Sequence, residues 1–209
     1  MNRPTPKQAR SRATVEKILA AANIEFASRG SAVVTTTDIA DRAGVSVGAL
    51  YRFFPDKQAI GAALAERYLH AAAERFGPLL DAIGDLQELP EGLRPVVRAA
   101  ADLATEHPGY YQLTREVAPG DEASAGQAVR SAMIDEFDAL IGGLGAPDDP
   151  RRRPAITLVI ETVRHTLATA PTDEIERSIV VDELAEMIVT YAHRRLSFTP
   201  GHEVDGDQA

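Results

Sequence analysis

"AGVSVGALYRFF", Ala43 to Phe54, supports two incompatible structures. Gly44-Val45-Ser46-Val47-Gly48 fits G-x-S-x-G, the nucleophile elbow that exposes a hydrolytic serine on a strand-to-helix turn. The same residues fit the tight turn and second helix of a helix-turn-helix, which enters a DNA groove. Ser46 is a nucleophile in the first case and a helix cap in the second. The residues on the N-terminal side separate the two, because an elbow must follow a buried strand.

They do not form one. "DIADRA", 38–43, shows neither strand alternation nor an apolar run, and it patterns as an amphipathic helix. Thr35 is placed as its N-cap, Asp38 falls in its first turn, and Gly44 ends it. A steep helix crossing needs a small residue at the contact, which Ala40 supplies, and the sharp turn needs the positive φ that Gly44 tolerates. Val45 plugs the turn, and Leu50 with Phe53 gives the second helix an inward stripe. Ser46 is then an N-cap. A serine hydrolase built on Ser46 is the alternative from another class, and it lacks a sheet to stand on.

Charge is distributed unevenly. The 209 residues carry a net −9, yet residues 1–60 hold nine basic against five acidic side chains, a net +4. The remainder holds 13 basic and 26 acidic side chains, a net −13, without a single lysine. An end suited to polyanions is joined to a body that is not. There is no cysteine, which excludes disulfides and thiolate metal sites and suits a reducing cytoplasm. The first residues have charge but no apolar core, so no signal peptide is expected, and no run approaches the eighteen apolar residues of a membrane span. The five histidines form no HExxH pair, and neither GxGxxG nor a P-loop occurs, so no metal or cofactor is expected.

Helical periodicity continues to the C-terminus. "TVEKILAAANIEFASRG", 14–30, precedes the helix-turn-helix and ends at Gly30. A short helix runs to about Phe54, and a longer one runs from Lys57 to about Phe76, stopped by Gly77-Pro78. Further helices are predicted near 79–88, 93–106, 108–117, 122–143, 153–169 and 173–197, separated by "LPEG", "HPG", "APGD", "GLGAPDDP" and "APTD". "RRR" at 151–153 reads as a solvated helix start, with a second nucleic-acid contact as the outside alternative. The predicted fold is all-α: a three-helix head over residues 1–60 with a basic N-terminal arm, a helical body over 61–198, and a disordered tail over 199–209.

Residues 7–68 resemble the DNA-binding domain of the tetracycline-repressor (TetR) family. The run "TTTDIADRAGVSVGALYRFFPDKQAI", preceded by "ILAAANIEFASRG", carries the likeness, including the aromatic after "GAL" and the "FFPDK" break. Beyond this head the chain resembles the family only in being helical. The resemblance implies a ligand-responsive homodimeric regulator, usually a repressor, on a pseudo-palindromic double-stranded DNA operator. It also implies that the hydroxyl of Tyr51 and the ammonium of Lys57 contact the DNA backbone; Lys57 also starts a helix, where N–H groups and a cation can share one phosphate. Thr35 and Thr36 either add hydroxyl contacts or, for Thr35, only cap. With Ser46 capping the recognition helix, Val47 and Ala49 are placed to touch thymine methyls, and Gly48 to let the backbone approach. Arg52 is its one long polar side chain, so readout by DNA shape and by Arg10 and Arg12 is expected to share specificity. A protein that only coats DNA is the other alternative.

In the body, Ile175, Ile179, Leu184, Ile188 and Tyr191 read as one stripe widened by Val180 and Met187, too broad for a helix buried on one side. The family likeness implies dimerisation through the helices near 153–170 and 173–197. Tyr110, Tyr111, Met133, Phe137 and His165 are the candidate lining of a small-molecule pocket. With one arginine between His107 and Gln127, an apolar cationic or neutral aromatic effector is favoured over a multiply charged anion.

Overall fold

The computed structural model describes residues 6–115 and 125–195, and within them the chain is helical without strands. The head holds α1 (Pro6–Arg29), α2 (Thr36–Ala43) and α3 (Val47–Tyr51). α4 (Lys57–Asp81) leaves it and enters the body, which continues as α5 (Leu89–Glu106), α6 (Pro108–Arg115), α7 (Ala125–Gly143), α8 (Arg152–Ala168) and α9 (Glu174–Arg195). The predicted tail, 199–209, lies outside the described residues.

Two apolar clusters organise these helices. In the head, Ile18, Ala22 and Phe26 of α1 meet Ile39 and Ala40 of α2, Leu50 of α3, and Ile60 and Leu64 of α4. In the body, Tyr68, Phe76 and Leu80 of α4 pack with apolar side chains of α5 to α9. α4 belongs to both clusters, because its buried positions recur along one face from Ile60 to Leu80.

Several boundaries differ from the sequence pattern. α1 begins at Pro6, so Arg10 and Arg12 lie on a helix rather than an extended arm. α4 runs through Gly77-Pro78 to Asp81, and no separate helix occupies 79–88. An interior proline costs about 3 kcal/mol. Continuing the helix places Phe76 and Leu80 on the same buried face, which returns about 1.5–3 kcal/mol for each side chain. "LPEG" does not interrupt α5, because Pro90 falls in its first turn, where the missing N–H is unneeded. The start at Arg151–Arg153 is bound by acids: Arg151 to Asp149, Arg152 to Asp138 and Arg153 to Asp135.

The stripe predicted on α9 divides in two. Leu184 and Ile188 are buried against the body together with Val181, Ala185 and Ala192. Ile175, Ile179 and Met187 project from another side, 74%, 58% and 49% exposed, with Leu158 of α8 also exposed. At 100° per residue, Ile179 and Ile188 lie well over a quarter-turn apart, so a single face cannot hold both.

Candidate nucleic-acid interface and effector cavity

The turn of the head is held by local hydrogen bonds. Thr35 caps α2: its hydroxyl accepts the Asp38 N–H at 3.2 Å, while the Thr35 N–H donates to the Asp38 carboxylate at 2.8 Å. With the Thr35 hydroxyl and Arg29 also on it, the Asp38 carboxyl is held down to about 2 from its ordinary 3.8. Gly44 sits at φ +66°, a left-handed conformation costly for any residue with a Cβ. Ser46 accepts the Ala49 N–H at 3.1 Å and starts α3. A helix, not a strand, precedes the serine, so the nucleophile elbow is absent.

Beneath the turn, Glu25 is a buried carboxylate. Arg42 donates to it at 2.5 Å and Arg29 at 3.2 Å. The Arg42 bond leads, burial opposes, and with Arg29 the carboxyl is held below its usual range. The Arg42–Glu25 and Arg29–Asp38 salt bridges tie α1 to α2 and so fix the platform on which α3 stands.

The residues of α3 and its C-cap differ in exposure. Tyr51 and Arg52 are exposed, Gly48 meets open space where a Cβ would stand, and Val47 and Ala49 are half-buried. The Tyr51 and Thr36 hydroxyls are 3.0 Å apart, so α2 and α3 present them together. Arg52 rests its guanidinium over Phe53, 5.7 Å from the ring centroid. Lys57 is placed differently from what its sequence context suggests. Its ammonium donates to the carbonyls of Ser31, Ala32 and Val34 at 2.6, 3.3 and 2.9 Å, closing the α1–α2 loop. No pattern in the sequence signalled that task, which depends on a loop 23 to 26 residues away.

In the body a cavity of about 80 Å³ opens between α4, α5, α6, α7, α8 and α9, several times what one water needs. Tyr110, Tyr111, Met133 and Phe137 line it. His165 does not: it is exposed, because on α8 the inward position belongs to its neighbour Arg164. Tyr68 stacks on Tyr110 with centroids 3.8 Å apart, and its hydroxyl lies 3.2 Å from that of Tyr111. Burial pushes the Tyr110 and Tyr111 phenols well above their ordinary range, keeping them neutral. Arg130 and Arg164 also line the cavity, and no acidic side chain does so among the described residues. The acidic balance of the whole body therefore misrepresents this site, and the expectation of a cationic effector is not supported by its lining. A sequence clue did exist: Glu161 and Arg164 stand three apart on α8, directly beside the apolar Ile160 and Val163.

α6 joins the two regions. It carries Tyr110 and Tyr111 to the cavity, while Gly109 donates its N–H to the Asn23 side chain of α1 at 2.9 Å. A Cβ at Gly109 would stand 2.3 Å from the Asn23 carbonyl oxygen, so only glycine permits this approach.

A helix-turn-helix head on a cavity-bearing helical body defines a DNA-binding regulator rather than an enzyme. Residues 18–64 match the model of the bacterial regulatory proteins of the tetR family. Over 190 residues the chain is 27% identical to an uncharacterized HTH-type transcriptional regulator of Mycobacterium tuberculosis, covering 88% of this chain and 89% of that one. A TetR-family transcriptional regulator from Streptomyces coelicolor shares the fold at TM-score 0.63 and 24% identity, over 87% of this chain and 98% of that chain. The fatty acid degradation regulator from Bacillus halodurans superposes at TM-score 0.66 and 15% identity, over 91% and 96%. The head of this chain, over residues 18–64, thus matches the bacterial regulatory proteins of the tetR family, and the rest of the chain shares their helical fold.

Proposed function

We propose that this regulator is a homodimer whose operator affinity is set by a small apolar molecule in the body cavity, acting most simply as a repressor in the cytoplasm. The observation that carries the proposal is α6, one helix whose side chains line the cavity and whose Gly109 is seated on α1 of the head. α4 gives a second connection, from Lys57 in the head to Tyr68 and Phe76 at the cavity. Residues 1–60 form the DNA-binding unit and 61–198 the sensing and dimerising one. The exposed apolar side of α9 with Leu158 of α8 supports pairing between two copies, since a monomer would leave that patch in water.

In the dimer, two α3 helices enter successive major grooves about 34–36 Å apart on a pseudo-palindrome. Tyr51, Thr36 and the exposed Arg52 supply backbone or base contacts, with Val47 and Ala49 against thymine methyls. Lys57 contributes to DNA binding chiefly by holding the α1–α2 loop. Gly48 lowers helix stability without relieving any contact in the protein, which suits a backbone approached by DNA. To empty an occupied operator, the effector must prefer the released conformation by about 5.5 kcal/mol, roughly 10⁴-fold.

The test is a melting-temperature screen of small apolar compounds, followed by displacement of operator DNA by the hits. Tyr111→Ala and Phe137→Ala should blunt the release while leaving ligand-free DNA affinity intact. Hits that bind tightly in the cavity yet never alter operator affinity would contradict the switch.

A further inference from the structure

The cavity has a polar end and an apolar end. Arg130 and Arg164 line it, and Glu161 beside them accepts from both, at 3.2 Å from Arg130 and 2.5 Å from Arg164. Burial opposes ionisation of Glu161, yet the two arginines hold its carboxyl below the ordinary range, so it is charged. Two cations thus share one anion, and one positive charge is left over at the cavity wall. The Arg164 Nε is buried with no hydrogen-bond partner among the described residues, a costly condition that a ligand oxygen would relieve. Arg164 also acts electrostatically on the phenols of Tyr68, Tyr110 and Tyr111, which places all three near the same end.

Away from the arginines the lining is hydrocarbon. On α7 it continues through Met133, Phe137 and Ile141, and on α8 back through Ile160 and Ile156. From Arg130 to Ile141 the helix spans about 16 Å. Such a site fits a chain with one compact charged head.

Resting on the cavity being the effector site, we propose that its ligand is an amphipathic monoanion, an apolar chain ending in a single carboxylate, with the head on Arg164 and Arg130. The planar guanidinium matches a carboxylate in two parallel hydrogen bonds. A single surplus positive charge suits a monoanion better than a polyphosphate, and an ammonium would face two arginines.

Calorimetric titration of the full-length protein with octanoate, decanoate and dodecanoate, and with 1-decanol and decylammonium, tests this directly. Decanoate should bind at least about tenfold tighter than 1-decanol, the scale of one hydrogen bond to a charged group, and decylammonium should not bind. Arg164→Gln and Arg130→Gln should each erase the preference for the acid over 1-decanol, with helical circular dichroism reporting intact folds. Equal binding of acid and alcohol, acid binding insensitive to both substitutions in folded variants, or no binding by any of the three acids overturns the proposal. If the arginine-dependent preference holds but bound acid leaves operator affinity unaltered, the anion site stands and the sensing role of the cavity falls.

Discussion

Lys57, Gly48 and Asp38 show how fold and function divide at single residues. Lys57 spends its three N–H donors on carbonyls of the α1–α2 loop. Lys57→Ala should therefore lower stability in urea melts by about 1–3 kcal/mol. Unchanged stability, with a salt slope shallower by about 0.9 per lost phosphate contact, would mean that the ammonium leaves the loop for DNA. Gly48→Ala should do the reverse, since its Cβ meets nothing and helical glycine costs about 0.5–1 kcal/mol against alanine: stability rises and operator affinity falls. A variant that binds DNA as well as the parent would remove Gly48 from the interface. Asp38 has its carboxyl depressed to about 2 from 3.8. Its contribution is fully present above pH 4 and is lost as pH falls through 2. Asp38→Asn should accordingly flatten the acid limb of stability between pH 4 and 2, and an unaltered limb would show that its bonds to Thr35 and Arg29 contribute little.

At the level of elements, the head was legible because its determinants are local. Capping at Thr35 and Ser46, the left-handed Gly44 and the apolar positions of α2 and α3 all act within a few residues. The body was less legible because burial there is settled by partners distant in sequence. Pro78 looked like a stop until Phe76 and Leu80 found a shared core, and the α9 stripe looked single until α5 and α8 covered one side of it. The same holds for the cavity: four of its five expected residues line it, whereas the outward His165 and the inward Arg164 differ by one helical position. Now that the sides of α9 are separated, Ile179→Glu should yield a folded monomer in sedimentation, while Ile188→Glu should lose the fold itself by placing a charge in the core. A dimeric Ile179→Glu protein would move the interface elsewhere. Gly109→Ala should push α6 off α1, at a cost of about 1–3 kcal/mol for overpacking.

The whole molecule is a DNA reader and a cavity joined by α4 and α6, with an exposed apolar side on α9 through which a second copy is proposed to bind. In the proposed switch, linkage requires operator DNA to weaken effector binding by the same factor by which effector weakens operator binding. The proposed switch depends on two heads meeting one site. The most direct measurement is sequencing of the genomic fragments retained by the purified full-length protein. Enrichment should fall on few sites, each an inverted repeat with half-site centres one helical turn, about 10–10.5 base pairs, or a whole multiple of it apart, and Ile179→Glu should abolish it. Uniform retention across the genome, or enriched sites with no inverted repeat, would contradict the account.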